Sequence, residues 1–551
     1  MPSLLITAIR YAHQVWHLKP RQLWARLRAR VRRPRLPAAT APVAVKPVPG
    51  VWIRPATAPH HRTGDSSFRL LSQEKTVQLP AGWHNRALGK KWLMELNAFH
   101  WLPEDASNQA ARLVHSWCEH CGSPPAPAWH PYMTSQRICN WLKWHLAGHA
   151  LPQQAIALLA VQAEFVRQNP CDDELDHKYL NNGKALLFCG CLLNSPRAPA
   201  WREQGWRLIT RYVPELVADD GGYIGLSTMY HSALLLDLLD IANLLRALEQ
   251  DVPEFLHAAI TRARHWLACL RHPDGTPALF NDAALQVVPE PDALEDYARR
   301  LGYGQRRAPA QGLNLLADSG FARLAQNDSV LLVDVGAIGP DHAASHGHAD
   351  TLSFEMSLHG RQLFVDSGLY SYEEMPTRLQ LRATAAHNTA TLDGRNSSDV
   401  WSNFKGGRRA RVHNLRHQGD ARCLSISAGH DGFKRLTNPL LHHRQWILQP
   451  GRLRLIDTFS GRGRHHIELH FHLHPAIEVL PAGDNRYRLQ SADGRLDCEL
   501  TLPQQVHCRL TGYHYSPTFG HMLPAKKVVV SYRAMLPQEL ASELCWQISG
   551  N

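Results

Sequence analysis

Residues 321–366, FARLAQNDSVLLVDVGAIGPDHAASHGHADTLSFEMSLHGRQLFVD, decide how this chain is organised. Short apolar runs at 321–324, 330–335, 352–358 and 362–366 alternate with turn residues and leave little room for helices between them, the pattern of paired strands. The pattern continues through 409–412, 424–428, 445–448, 453–457 and 466–473. Closely spaced strands without intervening helices predict an antiparallel sandwich or barrel over 312–551.

Upstream the period changes. Apolar residues recur at three and four spacing through 155–168, 183–193, 231–249 and 253–271, separated by short turns containing Pro, Gly or Asp. Antiparallel helix pairs in series predict an α/α layer or toroid over 63–311. The order is therefore α then β in an α+β multidomain chain, and a site at the seam would draw on both halves.

Ahead of these lies a basic arm and a Pro-rich connector, 1–62. Residues 1–35 hold nine Lys/Arg and no acid, out of a net charge of +12, so the rest of the chain is close to neutral. That distribution excludes a nucleic-acid-binding body. The arm reads either as an amphipathic surface helix, with Leu5, Ile9, Ala12 and Trp16 on one side and able to touch anionic lipid, or as a basic segment packed on the main body. There is no 18-residue apolar run and no signal-peptide pattern, and the 11 cysteines lack framework spacing. A reduced, cytoplasmic protein, peripheral to the inner membrane at most, is the expectation. Cys118 and Cys121 form a C-x-x-C with no second pair at zinc-ribbon spacing.

The densest polar segment runs from Asp341 to Glu355. If His346 and His348 lie on the incoming strand, their i, i+2 spacing turns them to one side. His348, Asp366 and His387, supplied from neighbouring strands, form a His/Asp/His set suited to zinc, or a group of histidines that satisfy one another. In the helical half, Asp176–Leu186 and the Gly221–Gly222 loop leading to Tyr230 and His231 place polar lips at the mouths of apolar helices. Tyr230 could equally be a packing residue there. Trp129, Tyr132 and Arg137 suit a saccharide subsite or a core.

The run HGHADTLSFEMSLHGRQLFVDSGLYSYE (346–373), followed by RATAAHNTATLDGRNSSDVW and HDGFKRL, closely resembles the C-terminal domain of heparinase II/III-like proteins, nearest to members associated with bacterial exopolysaccharide clusters. NGKALLFCG and DGGYIGLSTMYHSALLLDLLDI resemble the matching helical domain. The resemblance implies an incomplete (α/α) toroid followed by an antiparallel β-sandwich. It also implies a polysaccharide lyase that cleaves uronic-acid polymers by β-elimination without an organic cofactor. By the same resemblance Tyr230 and His346 form an acid/base pair, with His177 beside them. Lys178, Asn182, Arg137, Trp129, Tyr132, His231 and Arg382 become expected substrate contacts, and His348, Asp366 and His387 candidate zinc ligands, the ion being structural or orienting His346. Where relatives carry Glu-Arg shortly before the tyrosine, this chain has Gly225 and Leu226. A hydrolase on the same scaffold, using Glu174, Asp176 or Asp220, and a non-catalytic saccharide-binding factor are the rival readings.

Overall fold

The computed structural model describes residues 2–31, 43–123, 127–305, 308–373, 376–435 and 440–548. Two arm helices, α1 (Pro2–Trp16) and α2 (Pro20–Val31), precede the helical body. That body consists of α3 (Lys90–Ala98), α4 (Asn108–Cys121), α5 (Pro131–Leu146), α6 (Gln153–Gln168), α7 (His177–Leu192), α8 (Ala198–Leu216), α9 (Thr228–Ala247), α10 (Glu254–Cys269) and α11 (Pro291–Arg300). Its core is rich in aromatics: Trp101, Trp117 and Trp141 close around Phe99, with ring centroids 5.1–6.1 Å away. Helices α7 and α8 approach closely because glycines face each other. A Cβ on Gly190 would sit 2.4 Å from the Arg202 nitrogen, and one on Gly205 2.6 Å from that of Leu187.

The strands form three main antiparallel sheets. Gly312–Leu316, Phe321–Gln326, Ser329–Asp334, Phe354–Leu358 and Arg361–Phe364 make a five-stranded meander. An eight-stranded sheet runs in the spatial order Val412–Gly419, Leu424–His430, Leu441–Gln449, Arg452–Ser460, Gln538–Trp546, Asp497–Thr501, Arg486–Ser491, Ile477–Gly483. A four-stranded sheet built on Arg464–His472 and Leu523–Met535 joins the meander through the pairing of Phe364 with Leu473. Leu441–Gln449 alternates strictly between buried and half-buried residues, as a strand with one face on a core must. Between the sheets lie Leu331, Phe354, Ile426, Trp446, Phe459 and Leu469, all fully buried.

Two expectations need correction. The strand expected at 409–412 begins only at Val412, the preceding arginines following an irregular path. His346 is not on a strand but ends a single 3-10 turn, Ala344–His346. Cys118 and Cys121 lie buried on α4, where burial raises both thiols to about 12, so they are protonated apolar fillers.

The arm packs on both halves. Tyr11 stands edge-on to Trp401 at 4.8 Å, and Arg10 lies 3.8 Å from Asp399. Arg28 pairs with Asp172 at 2.7 Å, and the fully buried Gln22 donates to the carbonyls of Asp173, Glu174 and His342. Its Ile9 and Trp16 face outward, at 39% and 85% exposure. Arg32, Arg33, Arg35, the connector to 42 and the Leu5 side chain lie outside the described residues. No helix among the described residues is long and apolar enough to cross a membrane.

Candidate active site at the toroid–sandwich seam

Two helices open onto the seam with the same local construction. Asp176 caps α7 by accepting from the Lys178 N–H at 2.9 Å, and Ser227 caps α9 by accepting from the Tyr230 N–H at 3.2 Å. Each cap is preceded by a left-handed leucine, Leu175 (φ 55°) and Leu226 (φ 55°), a conformation that costs a β-carbon-bearing residue roughly 1–2 kcal/mol. Surrounding contacts hold these turns in place. The Ser227 hydroxyl donates to the Asp282 carbonyl at 2.6 Å, and the Thr228 hydroxyl to that of Ala278 at 2.6 Å. His177 and Tyr230 therefore stand in the first turns of their helices, where the positive end of the helix dipole disfavours added positive charge.

The sandwich contributes the loop carrying His346 and His348. Asn281, itself left-handed at φ 59°, stitches it down by accepting from the His348 N–H at 2.9 Å and donating to the Leu226 carbonyl at 2.9 Å. Asp282, fully buried, then receives both histidines. His346 Nδ1 lies 2.8 Å from one of its oxygens and His348 Nε2 lies 2.9 Å from the other. Arg378 closes the group with contacts of 2.6 and 2.8 Å to the same carboxylate. Against the upward push of burial, Arg378, His346 and His348 hold the Asp282 carboxyl well below its usual range, so it is ionised. The two imidazoles thus converge through a shared carboxylate rather than through strand alternation.

Tyr230 lies between two imidazoles. Its ring centroid is 4.5 Å from that of His346 on one side and 4.5 Å from that of His177 on the other. Its hydroxyl meets the Tyr372 hydroxyl at 2.8 Å. Nε2 of His346 and Nε2 of His177 are both buried without a hydrogen-bond partner among the described residues, while each ring's Nδ1 is engaged, by Asp282 and by the Tyr223 hydroxyl (3.1 Å). Burial raises the Tyr230 phenol, with Lys178 the main opposing influence, so the resting group is protonated. Burial, and after it Lys178 and His346, pushes His177 well below the ordinary imidazole value, so it is neutral. Lys178 bonds Glu174 and stands 3.4 Å from Asp176. Against burial, these acids hold its ammonium well above its ordinary value. Tyr132 meets His177 edge-on at 5.7 Å, and Phe404 meets His346 at 5.7 Å.

Five expected substrate contacts are instead structural. Arg137 is fully buried, stacked 3.9 Å over Trp117 and bonded to Gln162 and to the carbonyls of Asn97 and Ala128. Trp129 packs on Phe165 and donates to the Cys121 carbonyl. Asn182 accepts from the Cys171 N–H and donates to Ser135. Arg382 is sealed beneath the site by the carbonyls of Gly347, Ser402 and Asn403. His231 accepts from the Tyr223 N–H, bonds the Ala263 carbonyl and stacks on Trp266. Asp220, one of the hydrolase candidates, is consumed by Ser319 and the Gly222 N–H. Conversely, Asp282, Arg378, Tyr372 and Phe404 belong to the site although no sequence pattern singled them out.

Burial brings the His231 imidazole down to about 4, and likewise that of His60. Both folded values lie below the unfolded one, so their stabilising effect is complete above pH about 6.5 and is lost as pH falls towards about 4. Each contributes at most about 3 kcal/mol. The urea midpoint is expected to drop steeply across that window, and a flat midpoint would contradict these assignments.

His348, Asp366 and His387 each offer one ligand atom, all within 4.8 Å of one another and fully buried. Among the described residues, His348 Nδ1, His387 Nε2 and both oxygens of the nearby Asp350 lack hydrogen-bond partners. Unpartnered buried lone pairs of nitrogen and carboxylate type are what a tetrahedral zinc site requires, so the residues fit that ion.

The family model described as heparinase II/III-like, C-terminal, matches residues 308–547, and the heparinase II/III N-terminus model matches 114–297. The chain belongs to the heparinase II/III-like family. It is 26% identical over 326 residues to the heparin-sulfate lyase of Bacteroides stercoris, covering 54% of this chain and 44% of that protein. With the heparin-sulfate lyase of Pedobacter heparinus it shares 24% over 370 residues, covering 63% and 51%. This heparinase II/III-like chain therefore spans about half the length of the curated relatives it matches. Among solved structures it resembles heparinase III, with TM-score 0.71, 17% identity, and coverage of 87% of this chain and 81% of that one. It also resembles the chondroitin AC lyase of Streptomyces coelicolor A3, solved with chondroitin sulphate, with TM-score 0.55, 12% identity, and coverage of 95% and 79%. At these identities the likeness establishes the fold: a helical toroid followed by a β-sandwich.

Proposed function

We propose that the chain is a polysaccharide lyase that cleaves a uronate-containing polysaccharide, such as a bacterial exopolysaccharide, by β-elimination at Tyr230. The observation that carries this reading is the phenol held between two imidazoles whose Nε2 atoms have no partner among the described residues. Elimination requires three services: neutralising the uronate carboxylate so that C5 becomes acidic, removing the C5 proton, and protonating the departing O4. With His346 Nδ1–H donated to the ionised Asp282, its Nε2 lone pair is free to take the C5 proton. Tyr230, protonated at rest, donates to O4. The Tyr223 hydroxyl, donating to Nδ1 of His177, leaves its Nε2–H to bond the substrate carboxylate, with Lys178, shared with Glu174 and Asp176, beside it. With Arg382 and Arg378 sealed beneath the site, Lys178 takes the place of the missing arginine. The hydrolase alternative is less well supported, since Glu174 and Asp176 both hold Lys178 instead of facing each other across the cleft.

The test is incubation of the purified chain with a panel of uronate-bearing and neutral polysaccharides, followed by mass spectrometry. Products one water lighter than hydrolysis products, absorbing as 4,5-unsaturated uronates, are expected from the acidic polymers. Saturated products would overturn the reading.

His348, Asp366 and His387 would hold the zinc ion, with Asp350 beside them; when bound, it supplies positive charge that locks the loop. Through His348 Nε2 and Asp282 this fixes the orientation of His346, and the proton transfers remain with Tyr230 and His346. Protein produced in zinc-replete medium is expected to carry about one equivalent per chain, and His387→Ala to lose it and melt lower. Metal-free wild type with unchanged melting after chelation would contradict the site.

A further inference from the structure

On the far side of the His346 loop, a hollow of about 710 Å³ lies between the arm helix α1 and the sandwich. Arg408, Arg409, Arg411, Lys434 and Arg435 line it, against two carboxylates, Asp341 and Asp431. Asp399, just behind the wall, is shared by Arg10, Arg408 and Arg435 at 3.5–3.8 Å, so one anion serves three guanidiniums. Burial and then the neighbouring arginines lower the Arg435 guanidinium, Asp399 being the one opposing influence. Trp16, 85% exposed, stands at the rim and offers a flat face on which a sugar ring can stack.

The hollow is not isolated. Asp341 and Arg409 also line a second space of about 190 Å³, whose other walls include Glu174, Asp176 and Phe404. These are residues of the lip around His177 and His346. The two spaces therefore adjoin: the basic hollow beneath the arm leads, through a stretch where Arg26, Lys405 and Arg409 face Glu174, Asp176 and Asp341, towards the candidate catalytic pair.

We propose that this hollow is a distal subsite that holds anionic sugar units of an acidic polysaccharide, several residues away from the bond at Tyr230. The inference rests on the polysaccharide reading of the site but not on the chemistry of cleavage. Concavity favours a threaded chain over a bilayer, since a flat surface reaches the exposed cations of the rim but not Arg409 and Arg435, which are set into the wall. The arm's own Arg10 and Arg28 are already paired with the body. Clustered cations attract a polyanion through long-range, salt-screened attraction, so longer oligomers that reach both places bind more tightly.

The test compares full-length wild type with the triple variant Arg408→Gln, Arg411→Gln, Lys434→Gln, all three side chains being exposed. Titration calorimetry uses heparosan and polymannuronate oligosaccharides of graded length at two salt concentrations. Affinity for wild type is expected to rise with length, and the variant to lose about tenfold on the longest oligomers, with a shallower salt dependence and unchanged affinity for disaccharides. Equal affinity of wild type and variant for long oligomers would overturn the subsite. So would a variant that lost binding to phosphatidylglycerol vesicles while keeping its oligosaccharides. If no unsaturated product forms but the length-dependent loss is seen, the subsite stands and the lyase reading alone falls.

Discussion

Tyr230→Phe is expected to lower the rate of chain cleavage by about 10³-fold, within the range for removing a positioned acid or base. The substitution deletes one oxygen, whose bonding partner is the Tyr372 hydroxyl at 2.8 Å, so the fold loses only about 1 kcal/mol. KM should change little, because the ring still packs between His177 and His346. Turnover and melting temperature measured together check this. Cleavage within tenfold of wild type would mean that the phenol does not transfer the proton.

The second large effect is expected at Asp282. Asp282→Asn keeps the shape but removes the charge that Arg378 faces in a fully buried setting. Breaking such a pair costs about 3–5 kcal/mol. Chemical denaturation should show that loss, and the added substitution Arg378→Met should recover part of it by removing the stranded cation. Activity should fall even where the variant is folded. An amide donating to His346 Nδ1 moves the ring proton to Nε2 and occupies the lone pair that receives the C5 proton. A variant as stable and as active as wild type would show that Asp282 neither anchors nor orients the histidines.

The contrast between Asp282 and the histidines shows what a linear sequence reveals. Closely spaced short runs between turn residues marked 445–448 and its neighbours as sandwich strands, and the strand that forms there, Leu441–Gln449, alternates between buried and half-buried residues. The H-G-H run stood out by composition. Asp282, 64 residues before His346, sits in a short irregular loop, and nothing in Phe280-Asn281-Asp282 announces that two imidazoles and a guanidinium will close on it. Arg137 was misread for the opposite reason. A cation among aromatics looks like a sugar-binding group, but it lies mid-helix with Ile138, Cys139, Trp141 and Leu142, all buried, and that apolar surround was the available sign of a core arginine. Arg382 carried no such sign. Its carbonyl partners at Gly347, Ser402 and Asn403 come from separate loops, and only the tertiary structure assembles them.

The left-handed residues point the same way. Leu175, Leu226 and Asn281 immediately precede Asp176, Ser227 and Asp282, so each unfavourable backbone conformation aims a residue that positions His177, Tyr230 or His346. Propensity reasoning passes over such positions, since leucine gives no hint of a positive φ.

The most direct measurement of the proton-transfer account is cleavage of a uronate polymer in water enriched in heavy oxygen. Elimination breaks the O4 bond without adding solvent, so neither fragment is expected to gain the label during the cleavage step, and one should carry a new double bond. Heavy oxygen in one new chain end, with both fragments saturated, would contradict the account.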